Sequence, residues 1–153
     1  MTPPPAISVS AKAAVVRDGQ ILLLSYHDHA GFHFNLPGGK AREGECLRDT
    51  VRRTVHQETG LRVEPSRLLF VVEYVPKVWE REFGDVQKVQ FNFLAEPVDD
   101  AQPRMTEPPD PIQVGFEWLP LAVLKDKYLL PRVTPHLVAA LQDDRPDGLV
   151  DRW

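Results

Sequence analysis

The sequence predicts an α/β protein in which a mixed β-sheet is covered by helices on both faces. Three observations lead there. Strand-like and helix-like runs interleave in the order two strands, a loop, a helix, a pair of strands, a further strand and a helix. The run from Ile21 to Leu24 is apolar without alternation, as a strand buried on both faces must be. Residues 46–59 place Leu47, Val51 and Val55 on one stripe and polar side chains around the rest, the pattern of a helix lying on a core. At 153 residues the chain fits one domain.

In chain order, residues 1–9 read as a flexible tail, because Pro3, Pro4 and Pro5 favour an extended backbone. Residues 11–16 are β-compatible, and Asp18-Gly19 is a strong hairpin turn into a strand over 20–25. Residues 26–35 read as a polar-aromatic loop. Its His27, His29 and His33 lack the spacing of metal ligands and are expected to face solvent. Beyond the helix, residues 67–75 form a strand rich in aromatic and β-branched types. Residues 76–85 make a charged loop carrying Trp79, and 86–98 alternate as a long strand paired with the one before. Residues 99–111 are a proline-rich surface loop, 113–119 a strand, and 120–125 a short helix or turn. Thr134 caps and Pro135 starts a last helix to about Leu141. The polar stretch 142–153 reads as a frayed tail, leaving a single domain over 10–141.

The chain is organised around residues 36–61, LPGGKAREGECLRDTVRRTVHQETGL. Gly38 and Gly39 let backbone approach a ligand closely, and Gly60 ends the helix just past its last turn. On these residues the chain resembles the Nudix hydrolases, enzymes that cleave a diphosphate linkage in nucleoside-diphosphate compounds with a divalent metal. Their pattern is a glycine, five residues, a glutamate, seven residues, then Arg-Glu-aliphatic-any-Glu-Glu-any-Gly-aliphatic. Gly39, Glu45, Arg53, Val55, Glu58, Gly60 and Leu61 match it without insertion over 23 residues. Leu36, Pro37 and Gly38 fit in front. Thr54 and Gln57 stand where the family has glutamates.

The resemblance implies a Nudix-type α/β/α sandwich over about residues 10–141. It implies Mg2+ or Mn2+ as cofactor and a nucleoside-diphosphate small molecule as partner. Glu58 is then the principal metal ligand, with the Gly39 carbonyl and the neutral oxygen of Gln57 beside it. Glu58, Arg53 and Glu45 form the candidate catalytic set, Arg53 and Glu45 as a brace between helix and loop. Gly38, Gly39, Phe32 and Phe34 are the expected substrate-binding residues. Positions 54, 57 and 58 share one side of the helix, so three formal charges have become one and the metal site is weakened. The alternative is a nucleotide-binding module impaired in catalysis. No general base is assigned; Glu73, Glu80, Glu82, Glu107, Asp110 and Glu117 lie in later strands and loops.

Composition narrows the partners. A net charge of −4 argues against a nucleic-acid surface. The single cysteine, Cys46, excludes an internal disulfide and points to a reducing cytoplasm, with a quiet packing role for the thiol. No stretch has the length of a membrane span, and residues 1–30 show no charged-then-apolar leader. His56 is expected on the solvated face of the helix. A homodimer is left open.

Overall fold

The computed structural model describes residues 6–29, 31–105, 111–142 and 148–151. The prolines at 3–5, the acids Glu107 and Asp110, and Trp153 lie outside the described residues. Strands β1 (Ser8–Arg17) and β2 (Gln20–Asp28) are joined through Asp18-Gly19 and pair at Val16↔Ile21. β3 (Gly31–Asn35) and β4 (Gly38–Lys40) follow, then helix α1 (Leu47–Thr59). β5 (Val63–Tyr74), β6 (Lys88–Pro97) and β7 (Gln113–Pro120) lead to a 3-10 turn (Leu121–Asp126). Helix α2 (Thr134–Gln142) and β8 (Leu149–Val150) complete the chain.

The sheet runs β3-β2-β1-β6-β5-β8, with β4 paired to β1 and β7 to β2. It is mixed. β1 runs parallel to β6 from Ser8↔Lys88 to Val15↔Ala95, while β5 and β6 are antiparallel. The unbroken apolar run of β2 has a direct cause: it feeds two cores in turn. Leu22 joins Ala11, Ala13, Val15 and Phe93 under Val51 and Val55 of α1. Ile21 and Leu23 join Leu69, Tyr74 and Leu124 under Leu137 and Ala140 of α2. Each fully buried aliphatic side chain of this kind contributes about 1.5–3 kcal/mol. The two helices thus cover opposite faces, and the architecture is the α/β/α sandwich that the sequence predicts.

The helix comes out as expected, with Cys46 at its N-cap and the Gly60 N–H closing on the His56 carbonyl at 2.8 Å. The quiet packing role expected of Cys46 is not what the structure gives it, because the residue is exposed. The expected loop 26–35 is instead a hairpin, β2 extended to Asp28 and paired with β3 through Ser25↔Phe34 and Tyr26↔His33. Polar residues occur in these strands because one of their faces turns to a polar cavity. His33 is therefore buried at 6% exposure and stacked 5.8 Å from Tyr26, whereas His27 and His29 do face solvent. β5 starts at Val63, four residues earlier than expected, because the ladder with β6 carries irregularities after Pro65 and tolerates that proline. β1 likewise begins at Ser8, inside the segment read as tail. The stretch read as a C-terminal tail contributes β8, parallel to β5 at Val71↔Leu149. Trp79 is buried and donates its indole N–H to the Asp151 carbonyl at 2.9 Å.

β4 is the short strand that matters most, since it lays the glycine loop on β1 at Ala11↔Gly39 and Lys12↔Gly38. Gly38 has φ +132°, and a Cβ there would fall 2.4 Å from the Ala11 carbonyl oxygen. Gly44 has φ +80°, but a Cβ there would meet open space. Gly38→Ala should therefore cost about 3 kcal/mol or more, through steric overlap with backbone that cannot retreat. Gly44→Ala should cost roughly 1 kcal/mol, the conformational penalty alone. Urea unfolding of the two variants measures the difference; equal midpoints would contradict the close approach of β4 to β1.

Candidate active site

The glycine loop is gripped from two sides. From β1, the Ala13 N–H donates to the Pro37 carbonyl at 2.9 Å. The Lys12 ammonium reaches the Leu36 and Gly38 carbonyls at 3.4 and 3.2 Å. From α1, Glu58 accepts the Gly38 N–H on its Oε1 at 2.6 Å. Gly39 lies over Thr54, whose methyl would stand 3.2 Å from an added Cβ. Burial pushes the Lys12 ammonium down from its ordinary value, and the Glu58 charge opposes that shift.

Arg53 and Glu45 form the brace expected of them. The guanidinium meets the carboxylate in a two-pronged contact, Nε to Oε2 at 2.8 Å and Nη2 to Oε1 at 2.9 Å. Nη2 also donates to the Lys40 carbonyl at 3.0 Å, so one side chain ties the helix to both ends of the loop. Glu45 accepts further bonds from the Thr50 hydroxyl at 2.7 Å and the Arg42 N–H at 3.2 Å. Arg53 first and Thr50 second hold the Glu45 carboxyl well below its ordinary range, at about 2.

Beside the loop opens a cavity of about 430 Å³, within the range of small-molecule sites. Ser8, Ser10 and Lys12 alternate with the core residues Ala11 and Ala13, and so line its floor from β1. Lys88 and Gln90, their β6 partners in register with Ser8 and Ser10, continue it. Gly39 and Lys40 form one wall; Tyr26, His33 and Phe83 supply aromatic surface. The Lys88 ammonium lies 3.9 Å from the centre of the Phe83 ring and donates to the Phe83 carbonyl at 3.2 Å. Burial chiefly, then the charges of Lys12 and Lys40, push Lys88 below its ordinary value. A larger groove of about 1040 Å³ shares Ser8 and Lys40 but not Lys12, and a groove of about 660 Å³ on the outer side of α1 is lined by Glu45 and Arg53. Of the three, the smaller cavity is the one that brings Gly39 of the glycine loop together with Lys12 and Lys88.

Gly39 is thus at the cavity, and Gly38, Glu58, Glu45 and Arg53 hold the loop that walls it. Phe32 and Phe34 are not among its lining residues. They pack edge to face at 5.2 Å on the side of β3 opposite His33 and Asn35, with Phe34 in the α2 core and Phe32 half exposed. Of the acids left open as a base, Glu82 alone among the described ones lines the cavity; it accepts bonds from the Tyr128 hydroxyl and the Arg132 guanidinium. His56 is exposed, as expected. Lys12 and Lys88 were missed. The available signal was a lysine set among alanines in an apolar strand, AKAAVV.

A glycine loop locked to a helix by a charged brace, at the edge of a sandwiched mixed sheet, defines a Nudix-type hydrolase architecture. The sequence model of the NUDIX domain matches residues 7–141, and the chain belongs to that family. Among solved structures, a MutT Nudix hydrolase from Burkholderia pseudomallei is similar at 28% identity and TM-score 0.63, covering 90% of this chain and 98% of that one. A Nudix hydrolase from Nitrosomonas europaea is similar at 18% and 0.71, covering 90% and 89%. An ADP-ribose pyrophosphatase from Streptococcus suis is similar at 20% and 0.65, covering 95% and 100%. No curated protein matches the chain in sequence. Among the described residues no helix is long and apolar enough to cross a membrane.

Nudix hydrolases generally use divalent metals, and these residues do not fit one as a resident ion. Thr54 is buried and gives its hydroxyl proton to the Thr50 carbonyl at 2.7 Å. The Gln57 side-chain oxygen accepts from Arg53 at 3.3 Å. The Gly38 carbonyl faces the Lys12 ammonium, and Glu58 already holds the Gly38 N–H. Among the described residues no three His, Cys, Asp or Glu side chains gather into a ready-made cluster that would hold an ion in the absence of substrate phosphates.

The brace has a pH signature. A carboxyl lowered from 4.5 to about 2 stabilises the fold fully above pH 4.5 and loses that contribution as pH falls towards 2. Glu45→Gln should melt a few degrees below the parent at pH 7, with the gap closing between about pH 4.5 and 2. Arg53→Ala should show a similar fall at neutral pH and faster amide exchange at Gly38 and Arg42. Parallel melting curves for parent and Glu45→Gln across this pH range would refute the assignment.

Proposed function

We propose that the protein cleaves a diphosphate linkage in a nucleoside-diphosphate compound, at the cavity walled by Gly39 and Lys40. The observation that carries this reading is the intact grip on the loop: Glu58 on the Gly38 N–H and Arg53–Glu45 beneath it. That frame keeps backbone polar groups and lysine charge beside a space of about 430 Å³. Glu58 orients the loop, Gly38 and Gly39 permit close backbone approach, and Arg53–Glu45 keeps the wall rigid. In the family, magnesium or manganese supplies charge neutralisation to such a substrate. The donor set here is too thin to keep either ion in place, so turnover is expected to be slow.

A second reading, nucleotide binding without turnover, is favoured by one specific feature. The side chain at 54 has left the site for the Thr50 carbonyl, where the family's pattern has a carboxylate.

Restoring both glutamates separates the two. Thr54→Glu with Gln57→Glu should make the melting temperature respond to magnesium, by an amount equivalent to about 2.7 kcal/mol at a hundred times the dissociation constant. Without metal the double variant should be less stable than the parent, because three carboxylates then crowd one helix face. Phosphate release is measured for both proteins over a panel of nucleoside diphosphates, nucleoside triphosphates and diphosphate-linked sugars. Faster release from some member by the double variant, above a slow parental rate, supports hydrolysis. No release by either protein, with a melting curve indifferent to metal, would leave binding as the function.

A further inference from the structure

We propose that Lys12, with Lys40 and Lys88 beside it, takes the electrostatic part that a divalent cation plays in the family, so that this cavity holds a diphosphate without metal. The inference rests on reading the cavity as a diphosphate site. Lys12 is anchored on the carbonyl oxygens of Leu36 and Gly38, on the glycine loop itself, and under the attraction of Glu58, the helix carboxylate that the box retains. The replacements at 54 and 57 are matched to it. Three carboxylates would call for a doubly charged ion, whereas one carboxylate is balanced by one ammonium.

The other two lysines need a different partner. Lys40 and Lys88 line the same cavity, and Lys88 feels the charges of both Lys12 and Lys40. The acids on the cavity lining do not cancel them. Glu82 is engaged by Arg132 and Tyr128, which leaves the single negative charge of Asp28 against the two lysines. Excess positive charge in a partly enclosed space is relieved by an anion of several charges, and ammonium–phosphate contacts are of the strong, charge-assisted kind. Ser10 and Gln90, side by side in register on β1 and β6, add neutral polar groups between the lysines.

The test is calorimetric titration of the full chain with inorganic pyrophosphate and with ADP, in excess EDTA and again in magnesium. Both probes should bind in EDTA, and magnesium should change the affinity by less than roughly threefold. Lys12→Met and Lys88→Met should each weaken pyrophosphate binding in EDTA by roughly tenfold or more, the loss of one charge-assisted contact. Binding that requires magnesium, or binding in EDTA undiminished by both substitutions, overturns the inference while leaving the diphosphate reading in place. No binding of either probe under either condition overturns both. Should Lys12→Met fail to fold, Lys88→Met decides, because its side chain is only partly buried; undiminished binding by that variant in EDTA sinks the proposal.

Discussion

Gly38 is held by both of its polar backbone atoms, the N–H by Glu58 of the helix and the carbonyl by Lys12 of the first strand. The two side chains carry opposite charges and are both partly withdrawn from water. Burying either without compensation is costly, whereas together, with backbone bonds to complete them, they are tolerated. β1, the glycine loop and α1 are therefore fixed as one unit. The absent Cβ of Gly38 is a condition of that arrangement, since a side chain would occupy the gap between loop and strand.

The remainder of the cavity is assembled outward from that unit. Arg53 secures the far end of the loop through Glu45 and the Lys40 carbonyl. The parallel pairing of β1 with β6 brings Lys88 and Gln90 level with Ser8 and Ser10. On the opposite rim, Arg132 and Tyr128, just before α2, hold Glu82 in place. Residues from distant parts of the chain thus share one small space, and most of the charge they bring is positive.

Both departures from the family's pattern have local explanations. Thr54 is accommodated by a bond inside the helix, beneath Gly39. Gln57 is accommodated as an additional partner of Arg53. Neither replacement disturbs the box as a structural device, because the groups that shape it are Glu45, Arg53, Glu58 and the glycines. What changes is the electrostatic character of the site. Its shape and its charge are governed by different residues, and only the second set has diverged.

The sequence by itself determined the fold class, the central helix with its Gly60 stop, the Asp18-Gly19 turn and the brace. The fold class follows from the order of strand-like and helix-like runs along the chain, and the others from spacing within a short stretch: the turn on two residues, the brace on positions eight apart. Only the tertiary structure decided that Tyr26 and His33 belong to a hairpin, that Leu149 and Val150 pair with β5, and that Phe32 and Phe34 turn away from the cavity. Each depends on which face of a strand meets a cavity or a core, and local composition does not state that. Lys12 shows the division most clearly. A lysine among alanines was visible as an exception, but its partners lie 24 and 26 residues away, and Lys88 reaches it only through the β1–β6 crossover. Long-range pairing between strands places those charges together, and it is settled by the packing of the whole sheet rather than by any local pattern.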